Sequence, residues 1–568
     1  MQHATAALCL VLLSACGPKE AGESQVDAPA ASVVNSDSGS TAVAAPIGEE
    51  VSVTGGLVRG LVAADSENAL KQYHNIPFVA PPLGNLRWAP PAPVVPWEGT
   101  LDATAHGAFC MQTETVGVTI YIETRSRAEQ SEDCLTINVW TRADNIDERR
   151  PVMVWVHGGG LQGGAGFEQT GDLLTEKGVV LVSFNYRLGR FGFFSHPELS
   201  AEHPKGVSGN QGFRDQIAAL EWVRDNITQF GGNPNNVTIF GESAGSTSVN
   251  ALQASPLARG LFHRVIGQSG GAFHPQADRT TNKPHAPAGE SIGVMFAKAL
   301  VGEGGDTSLA ALRKLPAEKI VEVSNSSPAF NTYEYLPIVD GEVLPDQMAA
   351  IYSRGEQADV PTMIGSNANE GAAVMGHFTS FLGDGEEGFG RFKQGLLGEV
   401  AGDADMELLY PVDNPLGVMQ SWQELFEDIT FTYPMRRWAR DMSGVSSDAY
   451  LYLYTWHPPT AGKQYKSFHG ADLGYVFGQL TMFGAEPSEE DEAFSDFIAD
   501  TWVRFAKTGN PNGGEIQNWP AFTADNEAYY VLGATHGPAK ELRMDQMALI
   551  ERAWTKRRAS GVAANDAE

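Results

Sequence analysis

Apolar positions along this chain follow two rhythms. In "PVMVWVHGGG" (151–160) and "GVVLVSFNYR" (178–187) they run almost without interruption. Such runs predict strands covered on both faces, since a strand exposed on one face alternates apolar with polar residues. Between them and the next strand the rhythm changes. Apolar residues fall at Phe213, Ile217, Leu220, Val223, Ile227 and Phe230, in steps of 4, 3, 3, 4 and 3, which predicts an amphipathic helix. "NVTIFG" follows as a strand and "AGSTSVNALQAS" as a helix, and "RVIGQSG", "VPTMIGSN" and "AYLYLYTW" read as further strands. Strands alternating with helices predict an α/β fold with a large, mostly parallel central sheet and helices on both faces.

The two ends depart from this pattern. The apolar run Ala4–Leu13 is too short to span a bilayer and resembles the core of a secretory signal. Leu13-Ser14-Ala15-Cys16 is similar to a bacterial lipoprotein cleavage box, although no Lys or Arg precedes the run. That likeness implies a signal peptide over 1–16, an acylated Cys16 as mature N-terminus, and attachment to a membrane through the lipid. Gly17 in place of Asp favours the outer membrane, with a periplasmic protein released by plain signal cleavage as the alternative. Residues 17–50 are Ala, Ser, Gly, Pro and acid with little to bury, and read as a flexible tether. One large domain is expected over 51–558, with a frayed tail over 559–568.

Composition narrows the possible partners. Asp and Glu outnumber Lys and Arg by 69 to 39, for a formal net charge of −30, which argues against a nucleic-acid partner. Of the 4 cysteines, signal removal takes Cys9 and the lipid takes Cys16. Cys110 and Cys134 remain, an even pair in an oxidising compartment, and are expected to form a disulfide; two buried free thiols are the alternative.

Against this background "VTIFGESAGSTS" (237–248) stands out. The strand ends in Gly241-Glu242-Ser243-Ala244-Gly245 and a helix begins at once. In a chain with 62 glycines the five-residue pattern alone says little. At a strand-to-helix turn, however, it describes a nucleophile elbow, in which small neighbours leave a serine hydroxyl exposed beside a helix N-terminus. The N–H groups of Gly159, Gly160 and Ala244 are candidates for an oxyanion hole. A phosphate-cradling loop is excluded because no Gly-Lys-Ser/Thr follows the glycines. His157 is expected to orient that loop. A serine needs a base and an acid behind it, in the order serine, acid, histidine on this fold. Glu370, after the strand "VPTMIGSN", is the candidate acid. His377, His457, His469 and His536 all satisfy the order, and chemistry leaves His457 and His469 equally open.

From Val51 onward nearly the whole chain resembles the type-B carboxylesterase family, which includes cholinesterases and bile-salt-activated lipases. The likeness rests on "GLVRG", "NIPFVAPPLGNLRW", "PWEG", "EDCLTINVW", "HGGG", "GNQGFRDQIAALEWVRDNITQFGGNPNNVTIFGESAGS", "GSNANEG" and "FHGADLGYVFG". It implies the α/β-hydrolase fold, Ser243 as nucleophile, Glu370 as acid and His469 as base. It also implies a Cys110–Cys134 disulfide, small-molecule ester substrates, and no need for a metal or organic cofactor. Glu242 matches a carboxylate lining the family's gorge; a charge interacting with the helix dipole is an equally open account of it. Cholinesterases carry a choline-binding tryptophan in the loop between these cysteines, and residues 111–133 contain none. Uncharged short to medium acyl esters are therefore the expected substrates. Lipases and amide or carbamate hydrolases use the same machinery, and a non-catalytic binding relative is a third class.

Overall fold

Alternate residues of the central strands point into two separate cores. Val152, Val154 and Val156 belong to one, Met153 and Trp155 to the other; Val180, Val182 and Phe184 oppose Leu181 in the same way. A period of two in which both phases are apolar has this result, a sheet buried on each side. The computed structural model describes residues 46–560 except 64–67, 114, 119–120, 125–128, 284–285, 327–336, 376–382, 384, 414, 460 and 485. The apolar run at the N-terminus, Cys16, the tether as far as 45, His377 and the tail from 561 lie outside the described residues.

Among the described residues eleven strands form the central sheet. In chain order they are β1 (Leu61–Val62), β2 (Lys71–Pro77), β3 (Thr136–Thr141), β4 (Arg150–Val156), β5 (Val180–Phe184), β6 (Gly232–Glu242), β7 (Arg264–Gln268), β8 (Thr362–Asn367), β9 (Ala449–Tyr454), β10 (Ala528–Leu532) and β11 (Gly537–Lys540). Their spatial order is β11-β10-β9-β8-β7-β6-β4-β5-β3-β2-β1. From β5 to β10 every neighbouring pair is parallel. The β1, β2 and β3 edge and the β11 edge are antiparallel. The chain has the α/β-hydrolase fold. The two outermost antiparallel pairs, β1 with β2 and β10 with β11, are joined by short connections that need no crossover helix.

The amphipathic pattern from Phe213 yields α1 (Gln211–Asn226), whose last predicted turn tightens into a 3-10 turn at Ile227–Phe230 before Gly231 reverses the chain. α2 (Ala244–Ala254) is buried along its whole length against β6 and β7. On the opposite face lies α5 (Glu489–Thr508), capped by Ser488 and carrying Ile498, Ala499, Trp502 and Phe505 into the second core. The chain also forms α3 (Pro415–Glu427), α4 (Tyr433–Met442) and the C-terminal α6 (Met544–Ser560).

Packing starts before the first predicted domain residue. Ile47 is buried in the larger core and a small three-stranded sheet opens at Glu50–Val53. An isoleucine flanked by polar and small residues has no periodicity to announce it, so this contact was hidden in the tether's composition. Cys110 and Cys134 are joined by a disulfide with Cα atoms 5.1 Å apart, which closes the base of the loop 111–133. Among the described residues, no helix is long and apolar enough to cross a membrane.

Candidate active site

β6 ends at Glu242 and α2 begins at Ala244, leaving one residue, Ser243, to reverse the chain. Its backbone sits at φ 57° and ψ −121°, a conformation that L-residues avoid. The reversal is feasible because nothing larger than hydrogen stands at the crossing. A Cβ on Gly245 would lie 2.0 Å from the Val156 carbonyl oxygen, and one on Gly241 would lie 2.5 Å from the Gly245 carbonyl carbon. Both contacts are with backbone, so neither neighbour could give way. Ser243 N–H donates to the Gln268 carbonyl at 2.8 Å, tying the turn to the end of β7.

The glycine loop after β4 lies against this elbow. A Cβ on Gly158 would meet Ser243 Cβ at 3.3 Å. Gly159 takes a φ of 94°, and its carbonyl accepts from the N–H of Gln162 and Gly163, which folds the loop back on itself. Among the described residues no backbone carbonyl accepts from the N–H of Gly159, Gly160 or Ala244. His157 packs behind the loop, stacked on Tyr186 with ring centroids 4.3 Å apart, and the Tyr186 hydroxyl donates to the His157 carbonyl at 2.9 Å.

Opposite Ser243 stands one histidine. His469 Nε2 is 2.9 Å from Ser243 Oγ, and its Nδ1 is 2.7 Å from Glu370 Oε2. The second oxygen of Glu370 accepts from the Asn367 N–H at 2.6 Å, so the carboxylate is held by the strand that delivers it. Glu370 is fully buried and His469 nearly so. The elements converge because all three positions follow the carboxyl ends of parallel strands, β6, β8 and β9. His457, which chemistry alone could not distinguish from His469, is exposed, and so is His536.

Sequence reasoning missed a buried support beneath these residues. Asp472, three positions after His469, is fully buried and accepts from Gln268 Nε2 at 2.6 Å and Asn367 Nδ2 at 3.2 Å. Gln268 also holds Ser243, and Asn367 also holds Glu370. One carboxylate therefore links the three loops that carry the site. The available signal was a lone acid within "FHGADLGYVFG", a run that apart from His469 is made of small, apolar and aromatic residues. Burial raises Asp472 above the usual carboxylate range.

Glu242 adds a further carboxylate, with Oε1 3.2 Å from His469 Nε2. Burial pushes its pKa up to about 8, against the opposing pull of His469. Burial by itself depresses His469, but Glu242 first and then Glu370 and Asp472 outweigh it and raise the imidazole above its ordinary value. The direction follows from charge: an imidazolium is the only cation among these acids. Loss of the Glu242 charge removes the largest of those favourable contributions. Among the described residues no group of His, Cys, Asp and Glu is arranged to hold a metal ion.

The chain matches the carboxylesterase family over residues 48–550. It is 34% identical over 472 residues to the fumonisin B1 esterase of Sphingopyxis macrogoltabida, covering 81% of this chain and 83% of that one. It is also 34% identical over 490 residues to the para-nitrobenzyl esterase of Bacillus subtilis, covering 83% of this chain and 93% of the relative. A solved structure of PNB esterase superimposes with a TM-score of 0.75 at 32% identity, covering 88% of this chain and 99% of that one.

The charge balance predicts how His469 titrates. Glu242→Gln keeps the shape but removes a negative charge that favours imidazolium, so the His469 pKa falls by about one unit or more. NMR titration of the imidazole protons checks this. An unmoved value would show that Glu242 is already protonated where His469 titrates.

Proposed function

Since the chain belongs to the carboxylesterase family and is a carboxylic ester hydrolase, we propose that it cleaves uncharged short to medium acyl esters through an acyl-enzyme on Ser243. His469 Nε2 takes the hydroxyl proton as Ser243 Oγ attacks the ester carbonyl. Glu370, at Nδ1, holds the tautomer that leaves Nε2 free to accept and then stabilises the imidazolium. The N–H groups of Gly159, Gly160 and Ala244 donate to the oxyanion of the tetrahedral intermediate. His469 next protonates the departing alcohol, and the same nitrogen activates water to release the acid. The observation that carries this proposal is the unbroken line from Ser243 Oγ through His469 to Glu370, with contacts of 2.9 and 2.7 Å.

The preference for uncharged esters rests on the loop 111–133, which has no tryptophan to present to a quaternary ammonium. The domain arrangement belongs to the same proposal: a signal over 1–16, lipid on Cys16, a tether, and the catalytic domain held outside the inner membrane.

A panel of p-nitrophenyl esters with matched choline esters tests the chemistry. Ser243→Ala and His469→Ala each lower kcat by about 10⁴ or more, His457→Ala retains most activity, and butyrylcholine is turned over less efficiently than an uncharged butyrate ester. Labelling of the Ser243→Ala protein by an active-site fluorophosphonate would disprove the nucleophile assignment, and a clear choline preference would disprove the substrate class. For the anchor, Cys16→Ser moves the protein from membranes to the soluble fraction. Mass spectrometry that placed the mature N-terminus elsewhere, without diacylglycerol, would rule the lipid out.

A further inference from the structure

One contact of His469 plays no part in the proton relay. The ring of Phe431 lies over the imidazole with centroids 4.5 Å apart and planes inclined by 36°, nearer to a stacked than to an edge-on arrangement. Phe431 reaches this place through an irregular stretch of helix. Between α3 and α4 the chain makes a π-helical turn over Asp428–Thr432. Such a turn fits an extra residue into the helix, rotates the face that follows and gives up good hydrogen-bond geometry, so it persists where side chains must be aimed.

Buried charge holds this turn. Asp428, its first residue and 1% exposed, accepts from the Tyr410 hydroxyl at 2.7 Å and from Arg543 Nε at 2.9 Å. Arg543 also reaches Glu424 at 3.2 Å. After the turn, Glu551 of α6 accepts from Arg437 at 3.1 Å and from the Tyr433 hydroxyl. Just before it, Glu427 accepts from the Gly371 N–H at 2.9 Å, so the same helix reaches the loop bearing Glu370.

The geometry points to Phe431 as a positioning residue for His469: its ring, aimed by the π turn, keeps the imidazole in line between Ser243 and Glu370 and favours its charged form. This rests on the proposed role of His469 as base. Hydrogen bonds at Nδ1 and Nε2 hold the two ring nitrogens, but each is a single contact, and the ring can still swing about its χ1 and χ2 bonds as those contacts stretch. A flat neighbour on the ring face removes that freedom. The ring's negative face also attracts the imidazolium that forms as Ser243 gives up its proton. The charged groups facing the imidazole are Glu242 and Glu370, with Asp472 beyond them, and they set most of its charge preference. Phe431 adds a smaller part.

The test uses the full-length protein with an uncharged p-nitrophenyl ester and compares Phe431→Leu with Phe431→Tyr at matched melting temperature. The leucine variant is expected to lose about tenfold in kcat with KM within about twofold, the cost of a base held out of line. Its acid limb of kcat/KM is expected to move down by about half to one and a half pH units, the range that loss of one cation–π contact covers. The tyrosine variant restores both. A leucine variant with wild-type kcat and acid limb overturns the proposal, and so does a tyrosine variant as impaired as leucine. His469→Ala run alongside separates the two levels of the argument. Retained turnover there would fell the base assignment and this proposal with it, whereas an inactive His469→Ala beside an unaffected Phe431→Leu would fell the role of Phe431 alone.

Discussion

The site depends on how closely β4, β6 and α2 approach one another around Ser243. With 2.0 Å between a would-be Gly245 Cβ and the Val156 oxygen, the helix starts where only a hydrogen fits. That proximity projects the Ser243 hydroxyl above the sheet and sets the glycine loop after β4 alongside it. The price is a serine in a sparsely populated backbone conformation, of order 1–3 kcal/mol. Burial of the whole of α2 and the bond from Ser243 N–H to Gln268 hold it there.

Around this turn the protein solves an electrostatic problem. Glu242, Glu370 and Asp472 surround a single imidazole in a region almost closed to water. Desolvation penalises every charge in it. The three acids differ in the hydrogen bonds they accept among the described residues: Glu370 accepts from backbone and imidazole, Asp472 accepts from two side-chain amides, and Glu242 meets the imidazole edge. The acid with the fewest donors is the one that burial drives upward to about 8. Support and reactivity are thus divided among neighbouring carboxylates by the donors each one meets.

The same loops are bound to each other as well as to the imidazole. Asn367 donates to the Phe468 carbonyl at 2.8 Å, and Asn369 N–H donates to the Ser467 carbonyl at 3.0 Å, stitching the Glu370 loop to the His469 loop. The helix carrying Glu427 and Phe431 closes over both. The site is therefore a junction of strand ends, braced from below by Asp472 and from the side by a distorted helix. A shift in any one element would move the others.

The sequence by itself determined the alternation of strands and helices, the two-sided burial of the sheet and the sharp turn at Ser243. Each is local: apolar period, helix period and the demand for small residues within five positions are properties of neighbours in the chain. Glu370 was legible by its place directly after an apolar strand. The choice between His457 and His469 was not, for both follow β9, and which one reaches across to Ser243 depends on how the intervening residues fold. Asp472 and Phe431 left weaker marks still. A buried carboxylate is written like an exposed one, and an aromatic residue in a helix reads as core. Only the tertiary structure decided that Asp472 meets amides from two other strands and that a π turn rotates Phe431 onto the imidazole, because those contacts join residues far apart in sequence and no local pattern encodes the distance between them.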